Sequence, residues 1–600
     1  MRLAIINNDR CKPHKCHHEC AKFCPIERSG SQLFFFPVDN PKQQPLLVED
    51  LCNGCSICVK KCPFNAIHII NTPEMLDKDL VHRYGENGFS LFRLPILQAG
   101  VVTGLIGQNG AGKSTALKIL TGEVKPNFGK FAENAPDWDF VIDYFKGTEN
   151  QTFFSKLSQK ELRTVLKPQY IDRIPKVAKG SVHEILSKYD NEEKMLELKE
   201  KLAMTNFWDR DVTKLSGGEV QKLAIAIALM RDVDNYMFDE PSSFLDISER
   251  LRMTRAIREL KEEKNKTVVV VDHDLAVLDY LSDYICVFYG EPADYGIVTY
   301  PHSVKEGINI FLDGFIPEEN MRFRKDTIKI DKTSIREKQD FKRTLLEWQD
   351  MGKAYDTFKL DIKGGELHQG QVIGILGPNG IGKTTFVKML AGIEKPDSGI
   401  SPVTKEMKVA YKPQYLTPQE GVTVEQYVKS INPANTTSSY FKSEVIKPFN
   451  LELIFDQELQ NVSGGELQKT IIAGTLGQEA DLYLFDEPSA YLSVEDRLTC
   501  AKTIRRVIQG NKKSAFIVEH DIVFQDYVSD SLMVFLGESG IYGKAYPPVD
   551  LETGMNRFLS NLEVTFRRDA ESGRPRVNKP NSKLDKEQRR TGNYYYSRVE

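Results

Sequence analysis

The sequence predicts a multidomain α/β protein, with a small cysteine-rich α+β domain followed by two copies of one P-loop domain. Three observations carry this prediction. Eight of the ten cysteines lie within the first 62 of 600 residues. A glycine-rich phosphate-binding motif occurs twice, as GQNGAGKS over Gly107–Ser114 and GPNGIGKT over Gly377–Thr384. Further motifs then recur at a constant offset of 247 residues, as Gly217/Gly464, Asp239/Asp486 and His273/His520.

The length suits three or four domains, each able to bury its own core. Apolar residues make up 40% and charged residues 27%, as in ordinary globular proteins. A net charge of −4 leaves no overall polycation, so any nucleic-acid contact must come from local patches. No run approaches the roughly 20 apolar residues of a membrane helix. The first residues, MRLAIINNDRCKPHKC, also lack the apolar core of a signal peptide. No membrane partner is expected, and the missing signal peptide opposes secretion, which favours metal ligation over disulfides for the cysteines.

The second cysteine quartet reads Cys52-x2-Cys55-x2-Cys58-x3-Cys62-Pro63. This is the run by which bacterial ferredoxins give three thiolates to one cubane and the fourth to its neighbour. Cys11-x4-Cys16-x3-Cys20-x3-Cys24-Pro25 is a looser relative. The predicted ligand sets are Cys24, Cys52, Cys55 and Cys58 for one 4Fe–4S cluster and Cys11, Cys16, Cys20 and Cys62 for the other. Zinc would leave the Cys-Pro spacings unexplained. His14, His17 and His18 are expected to be solvated neighbours, and Cys286 and Cys500 core residues. No flavin or pyridine-nucleotide fingerprint follows, so a structural or sensing role is favoured over electron transfer.

Each P-loop follows an apolar strand-like run. Its glycines (Gly110 and Gly112; Gly380 and Gly382) let backbone N–H groups wrap phosphates at a helix N-terminus. Asn109 lies within the first motif and Thr115 directly follows it, as Asn379 and Thr385 do in the second. Lys113 and Lys383 are placed to reach the β- and γ-phosphates, and Ser114 and Thr384 to ligate Mg²⁺. An apolar strand ending in two acids also occurs twice, at Asp239-Glu240 and Asp486-Glu487. The aspartates are candidates to hold Mg²⁺, and Glu240 and Glu487 to polarise the attacking water.

The blocks Leu215-Ser-Gly-Gly-Glu-Val-Gln221 and Val462-Ser-Gly-Gly-Glu-Leu-Gln468 make the chain resemble the ATP-binding cassette (ABC) superfamily, whose signature is LSGGQ-like. Gln169 and Gln414, in KPQY, match a further family element and join the magnesium candidates. His273 and His520, in VVDHD and VEHD, match another and join the catalytic candidates. The resemblance implies head-to-tail nucleotide sandwiches, each P-loop facing the other half's signature. Site one would join Lys113, Ser114, Gln169, Asp239, Glu240 and His273 to Ser463, Gly464, Gly465 and Glu466. Site two would join Lys383, Thr384, Gln414, Asp486, Glu487 and His520 to Ser216, Gly217, Gly218 and Glu219. Tyr84 is the adenine-stacking candidate in the first half, and Trp348 or Tyr355 in the second.

The halves differ. Asp246 matches the family's D-loop carboxylate, and Ser493 stands in its place in the second half. Unequal hydrolysis rates are expected. From P-loop lysine to glutamine is 56 residues in the first half and 31 in the second (169 − 113; 414 − 383), so the first carries about 25 more, near 130–165. That segment reads as a helix–loop–helix with aromatics and a polar tip, either a surface insertion or a docking element. GINIFL from Gly307 and GMNRFL from Gly554 echo each other as hinge sequences packed between the halves. The segment from Asn561 to Glu600, with ten Lys/Arg and six Asp/Glu, reads as a solvated tail, or as RNA-facing through RPRVNKP and Arg589-Arg590.

Eight cysteines joined to two LSGGE cassettes and two GxNxFL echoes resemble, over essentially the whole chain, the ABC E family, also called the RNase L inhibitor family. The implied fold class is two ABC-type P-loop nucleotide-binding domains plus an N-terminal ferredoxin-like domain holding two 4Fe–4S clusters. The implied organisation is 1–73 iron–sulfur domain, 74–300 first cassette, 301–340 hinge 1, 341–545 second cassette and 546–600 hinge 2 with tail. The implied function is an ATPase that splits ribosomes after termination or stalling, with ATP, Mg²⁺ and the clusters as cofactors. The implied partners are the small ribosomal subunit, a release-factor-type protein or its stalled-ribosome paralogue, and initiation factors, with a cytoplasmic, monomeric chain that also passes through the nucleus. An ATP-gated redox protein and a transporter ATPase are the competing readings.

Overall fold

The computed structural model describes residues 2–6, 11–37, 40, 42–48, 51–64, 66–71, 79–85, 88–130, 136–171, 173–261, 266–292, 294–324, 327–328, 343–404, 406–414, 418 and 420–595. Parts of the expected insertion (131–135), hinge 1 (325–326 and 329–340) and tail (596–600) lie outside them.

The cysteine-rich domain is held by β1 (Arg2–Ile6) paired antiparallel with β4 (Ile67–Asn71). Between them lie the short strands β2 (Phe34–Phe35) and β3 (Leu46–Leu47) and three helices of one turn or little more. Ala4, Ile6, Leu33, Phe34, Leu47 and Ile67 form its small core.

In the first cassette the strands are β5 (Leu80–Arg83), β6 (Ser90–Phe92), β7 (Val102–Gly107), β8 (Thr164–Lys167), β9 (Asn235–Asp239), β10 (Thr267–Val271), β11 (Tyr284–Glu291) and β12 (Tyr295–Val298). They are ordered β5-β6-β12-β11-β7-β10-β9-β8 in a nine-stranded sheet. The run β11-β7-β10-β9-β8 is parallel. Strands β7, β9 and β10 are buried along their whole length, which is why they read as unbroken apolar runs. The second cassette repeats the order, with Val372–Leu376 between Ser514–Val518 and Ser531–Glu538, then Leu482–Asp486 and Val409–Lys412. Each sheet runs slightly past its expected boundary, because His302–Ser303 and Val549–Asp550 add a last strand.

The insertion forms helices Trp138–Tyr144 and Glu149–Ser158, the first capped by the Asp137 carboxylate. Its polar tip, Lys146–Glu149, and the Phe140 ring face water. Val141, Phe145, Phe153 and Phe154 pack into the same core as Leu117 and Leu120 of the P-loop helix. Most of the aromatics that suggested docking therefore serve the domain's own interior, where each buried ring removes a large apolar area from water.

The two echo sequences form helices Val304–Asp313 and Leu551–Leu562. Each needs its glycine to approach the sheet: a Cβ at Gly307 would lie 2.7 Å from Ile285, and one at Gly554 2.6 Å from Leu532. The first helix also packs against Val494 and Leu498 of the second cassette. Met555 and Phe558 of the other meet Ile247 and Leu251 of the first cassette. Each hinge helix is thus pinned beneath its own sheet and against the opposite half.

The described part of the carboxyl-terminal segment, which runs to Tyr595, is not a solvated tail. Phe566–Arg568 and Pro575–Val577 form a hairpin, followed by helix Lys583–Thr591. Arg574 is fully buried and lies 3.3 Å from Asp279 of the first cassette, which Arg576 also engages at 2.7 Å. Arg568 pairs with Asp526 at 2.7 Å. These arginines are consumed inside the molecule, so RPRVNKP presents little charge to RNA.

Candidate ATP sites and cluster pockets

Each P-loop helix starts at its lysine, with Gly112 and Gly382 as left-handed caps at φ 93° and 97°. A side chain there would strike the Phe89 ring at 2.6 Å, or Leu360 and Phe358 at 2.9 and 3.1 Å. Lys113 Nζ donates to Gly107 O and Gln108 O, both at 2.8 Å, and Lys383 Nζ to Gly377 O and Pro378 O at 2.9 and 2.6 Å. Both lysines are buried, and each ammonium spends its hydrogen bonds on loop carbonyls rather than on a carboxylate. Burial lowers Lys113 to about 8. It lowers Lys383 as well, against the opposing pull of Asp246 and Glu487. A phosphate is the group that would satisfy both lysines.

The acid pairs stand at the carboxyl ends of β9 and of Leu482–Asp486, where α/β sheets bind ligands. Ser114 Oγ donates to Asp239 at 3.1 Å. Burial and the neighbouring Glu240 raise Asp239 to about 6, and burial raises Asp486. Such carboxyls call for a cation, and Mg²⁺ fits them. Gln169 Nε2 donates to Glu240 at 2.7 Å, and Gln414 Nε2 to Glu487 at 2.8 Å. The ring Nε2 of His273 lies 3.4 Å from Glu240, and that of His520 3.6 Å from Glu487. Burial holds both histidines below their ordinary value. Glu240 and Glu487 share φ 47°, a left-handed strain of about 1–3 kcal/mol each that sets their carboxylates toward these partners.

The two glutamates differ in surroundings. Burial would raise Glu240, but His273, Lys113 and the Ser243 hydroxyl, which donates to it at 3.1 Å, outweigh that and hold it at about 2. Burial and Asp486 raise Glu487, and Ala490 stands where a second hydroxyl would be.

Each signature opens a helix, Gly217–Met230 or Gly464–Gly477, through a capping box. Ser216 and Ser463 accept from the N–H of Glu219 and Glu466, whose carboxylates accept the N–H of the serine in return. Glu219 and Glu466, expected among the ATP-binding residues, therefore spend their side chains on building the helix start. One cleft between the cassettes is lined by both signatures, together with Asn109, Gln169, Glu240 and His273 of one half and Gly380, Gly382, Lys383, Thr384, Thr385, Gln414, Glu487 and His520 of the other.

Tyr84 is 52% exposed, and its hydroxyl donates to Thr115 at 3.4 Å. In the second half Trp348 is only 3% exposed, wedged against Phe386 and Phe516 with its indole N–H on Lys363 O. Tyr355, 45% exposed, is the counterpart of Tyr84. The signal was in the spacing: 29 residues separate Tyr84 from Lys113 and 28 separate Tyr355 from Lys383, against 35 for Trp348.

Beneath the acids lies a layer that the motifs alone do not announce. Lys167 Nζ donates to Asp239 O at 2.9 Å, and Lys412 Nζ to Asp486 O at 2.8 Å. Gln221 Nε2 bridges the carbonyls of Glu240 and Pro241, both at 2.8 Å, and Gln468 Nε2 those of Glu487 and Pro488, both at 2.9 Å. The recurrence of these lysines and glutamines in both halves was the available signal.

In the amino-terminal domain, Cys11, Cys16, Cys20 and Cys62 line one cavity with Ile6, Pro13, Phe36, Pro45 and Phe64. Cys24, Cys52 and Cys55 surround Cys58. Burial and neighbouring sulfurs push Cys11 and Cys20 to about 12 and Cys58 to about 11, so thiolates there require bound cations. The donor sets fit two 4Fe–4S clusters. Cys286 and Cys500 are fully buried in the cassette cores.

Residues 96–243 and 361–490 match the family model described as ABC transporter. Residues 1–32 match a possible Fer4-like domain in RNase L inhibitor, RLI, and residues 45–68 a 4Fe-4S binding domain. Fold and sites thus define an ATP-binding cassette ATPase with two 4Fe–4S clusters. The chain is 51% identical to an uncharacterised ABC transporter ATP-binding protein of Methanocaldococcus jannaschii, over 99% of this chain and 98% of that one. It is 48% identical to translation initiation factor RLI1 of Chaetomium thermophilum, over 99% and 97%. A solved structure titled as a model of ribosome-bound archaeal Pelota and ABCE1 matches with a TM-score of 0.93 at 49% identity, covering 99% of each chain. The chain belongs to the E family of ATP-binding cassette proteins, the RNase L inhibitor family.

Proposed function

We propose that this protein is an ATP-driven ribosome recycling factor, which separates ribosomal subunits after termination or stalling. The observation that carries the reading is the full-length likeness to an E-family protein solved on a ribosome with Pelota. The partners are the small ribosomal subunit and a Pelota-type or release-factor-type protein, with a further link to initiation factors. The working place is the cytoplasm, with passage through the nucleus. No helix among the described residues is long and apolar enough to cross a membrane.

ATP with Mg²⁺ supplies the phosphoryl group whose transfer to water drives the cycle. Lys113 and Lys383 would neutralise phosphate charge, while Ser114, Asp239, Gln169 and their counterparts Thr384, Asp486 and Gln414 would hold the metal. Glu240 and Glu487 accept a proton from the attacking water, and His273 and His520 orient them. Signature residues Ser216–Gly218 and Ser463–Gly465 present helix N-termini to the opposite nucleotide, so occupancy favours closure of the cleft. Tyr84 and Tyr355 stack the adenines. The cluster domain follows this closure as an arm, and Lys12 pairs with Asp456 of the second cassette at its surface.

Sucrose-gradient sedimentation tests the reading. Cluster-loaded protein with ATP and a Pelota-type factor should convert whole ribosomes to free subunits, and the Glu240→Gln, Glu487→Gln double variant should not. Intact ribosomes with the active protein would overturn it.

A further inference from the structure

The two cassettes are stitched together differently on their two sides, and the difference runs through Glu495. On the site-two side, the D-loop carboxylate of Asp246 accepts the backbone N–H of Asn379 in the second P-loop at 2.7 Å. The equivalent bond on the site-one side does not form, because Ser493 replaces the aspartate and its hydroxyl serves Asp496, at 3.0 Å. A different pair closes that side. Gln108 Nε2, in the first P-loop, donates to Glu495 Oε2 at 2.8 Å across 387 residues of sequence.

Glu495 lies in the first turn of helix Val494–Gly510, directly after the second D-loop. The same Oε2 lies 3.4 Å from Nε of Arg324 in hinge 1. Arg324 is nine-tenths buried, and its Nη1 donates to Phe311 O at 2.7 Å, at the end of the hinge helix. Its guanidinium lies over the Phe311 and Phe323 rings, at 4.9 and 5.6 Å. Gly314 makes this possible, since a Cβ there would lie 2.5 Å from that of Arg324. Apolar contacts of Val494 and Leu498 with the hinge cluster hold the same helix in place. One carboxylate thus joins the first P-loop, the second cassette and hinge 1. The link is built once only, because Pro378 occupies the position of Gln108 and has no side-chain donor, and Ser248 occupies that of Glu495.

We propose that Glu495 is a positioning residue for ATP site one, coupling the first P-loop to hinge 1 through Gln108 and Arg324. It touches no reacting atom. Its effect is to hold the P-loop in the geometry that the hinge dictates, so hinge position and site-one nucleotide affinity become one linked equilibrium. Site two lacks a connection to a hinge, and its P-loop is held instead through Asn379, whose backbone N–H donates to Asp246 at 2.7 Å and whose Nδ2 donates to Glu249 at 3.3 Å. The inference rests on reading the two P-loops as ATP sites.

The test uses the full cluster-loaded chain in two backgrounds, Glu487→Gln to leave turnover at site one and Glu240→Gln to leave it at site two. A hydrogen bond to a charged group is worth about 1.5 kcal/mol, so Glu495→Ala should raise the site-one KM for ATP about tenfold. The expected kcat change is within about twofold and the site-two KM stays unchanged, because only binding geometry is affected. Glu495→Gln, which still accepts from Gln108, should recover part of the loss. Gln108→Ala combined with Glu495→Ala should cost no more than the costlier single change. Equal KM shifts at both sites, an unchanged site-one KM, or fully additive losses would each overturn the coupling. A parent chain without ATP turnover in either background would instead overturn the reading of the sites.

Discussion

Phe244 and Tyr491 meet edge to face across the boundary between the cassettes, with ring centroids 6.2 Å apart and ring planes at 73°. They occupy the same position in the two D-loops, 247 residues apart, so the contact lies where the repeat meets itself. Both adopt a left-handed backbone, at φ 66° and 63°. Each ring also lies against its own signature, 3.4 Å from where a Cβ of Gly217 would be and 3.6 Å for Gly464. The pair therefore touches both signature helices at once.

Removing either ring should uncouple the sites. An aromatic pair contributes about 0.5–1.5 kcal/mol beyond its buried area, so Phe244→Ala or Tyr491→Ala should flatten cooperativity in ATP turnover while Phe244→Tyr preserves it. The readout is the Hill coefficient of steady-state hydrolysis. Wild-type cooperativity in both alanine variants would show that the rings are packing only.

The catalytic glutamates should be unequal. Glu240 has the Ser243 hydroxyl and Glu487 has Ala490 in its place. Ser243→Ala should lower site-one kcat by about fivefold, the worth of about 1 kcal/mol from a lost hydrogen bond, and leave site two alone. Single-turnover hydrolysis in the Glu487→Gln background measures it. Equal rates from Glu240→Gln and Glu487→Gln would contradict the asymmetry at its root.

Tyr355 and Trp348 separate binding from folding. Tyr355→Ala should raise the site-two KM for ATP with little change in melting temperature, as a stacking platform worth about 1–3 kcal/mol would. Trp348→Ala removes a core ring and should cost about 3–5 kcal/mol of stability. Denaturant unfolding beside ATP titration distinguishes them, and reversed outcomes would return adenine recognition to the tryptophan.

Much of the site was legible because its chemistry is written in short motifs that occur twice. Lys113, Asp239 and Ser216 are identified by their neighbours in sequence, and a second copy of each motif places their counterparts. Contacts between distant segments were not legible. Arg574 reads as a surface cation in RPRVNKP until the fold brings Asp279 beside it, 295 residues away. The insertion's aromatics misled for a related reason, since composition records that Phe154 is apolar but not that Leu117 waits beneath it. Trp348 drew attention as an aromatic upstream of a P-loop, when spacing to the lysine was the stronger criterion.

The carboxyl-terminal arginines lead to a stability prediction with a defined pH window. Asp279 and Asp526 are repeat equivalents, on the helices that follow His273 and His520, and each is held by arginine from the carboxyl-terminal hairpin. Burial alone would raise Asp279, but Arg574 and Arg576 hold it below the usual carboxylate range. Asp569, on the same hairpin, is held at about 2 because the Ser572 hydroxyl and N–H and the nearby Arg574 outweigh its burial. Groups lowered in the folded state stabilise it above their unfolded value, and the contribution disappears as pH falls through the folded one. The hairpin should therefore stay docked at neutral pH and detach between about pH 4 and pH 2. Asp279→Asn should weaken that dependence to the part owed to Asp569, and by stranding Arg574 as a buried charge it should cost about 3–5 kcal/mol. Thermal unfolding across this pH range, with limited proteolysis to report release of the hairpin, measures both effects. A loss below about 1 kcal/mol would mean that water reaches Arg574 once its partner is gone, and that the hairpin is held by the apolar contacts of Phe566, Val577 and Tyr595 instead.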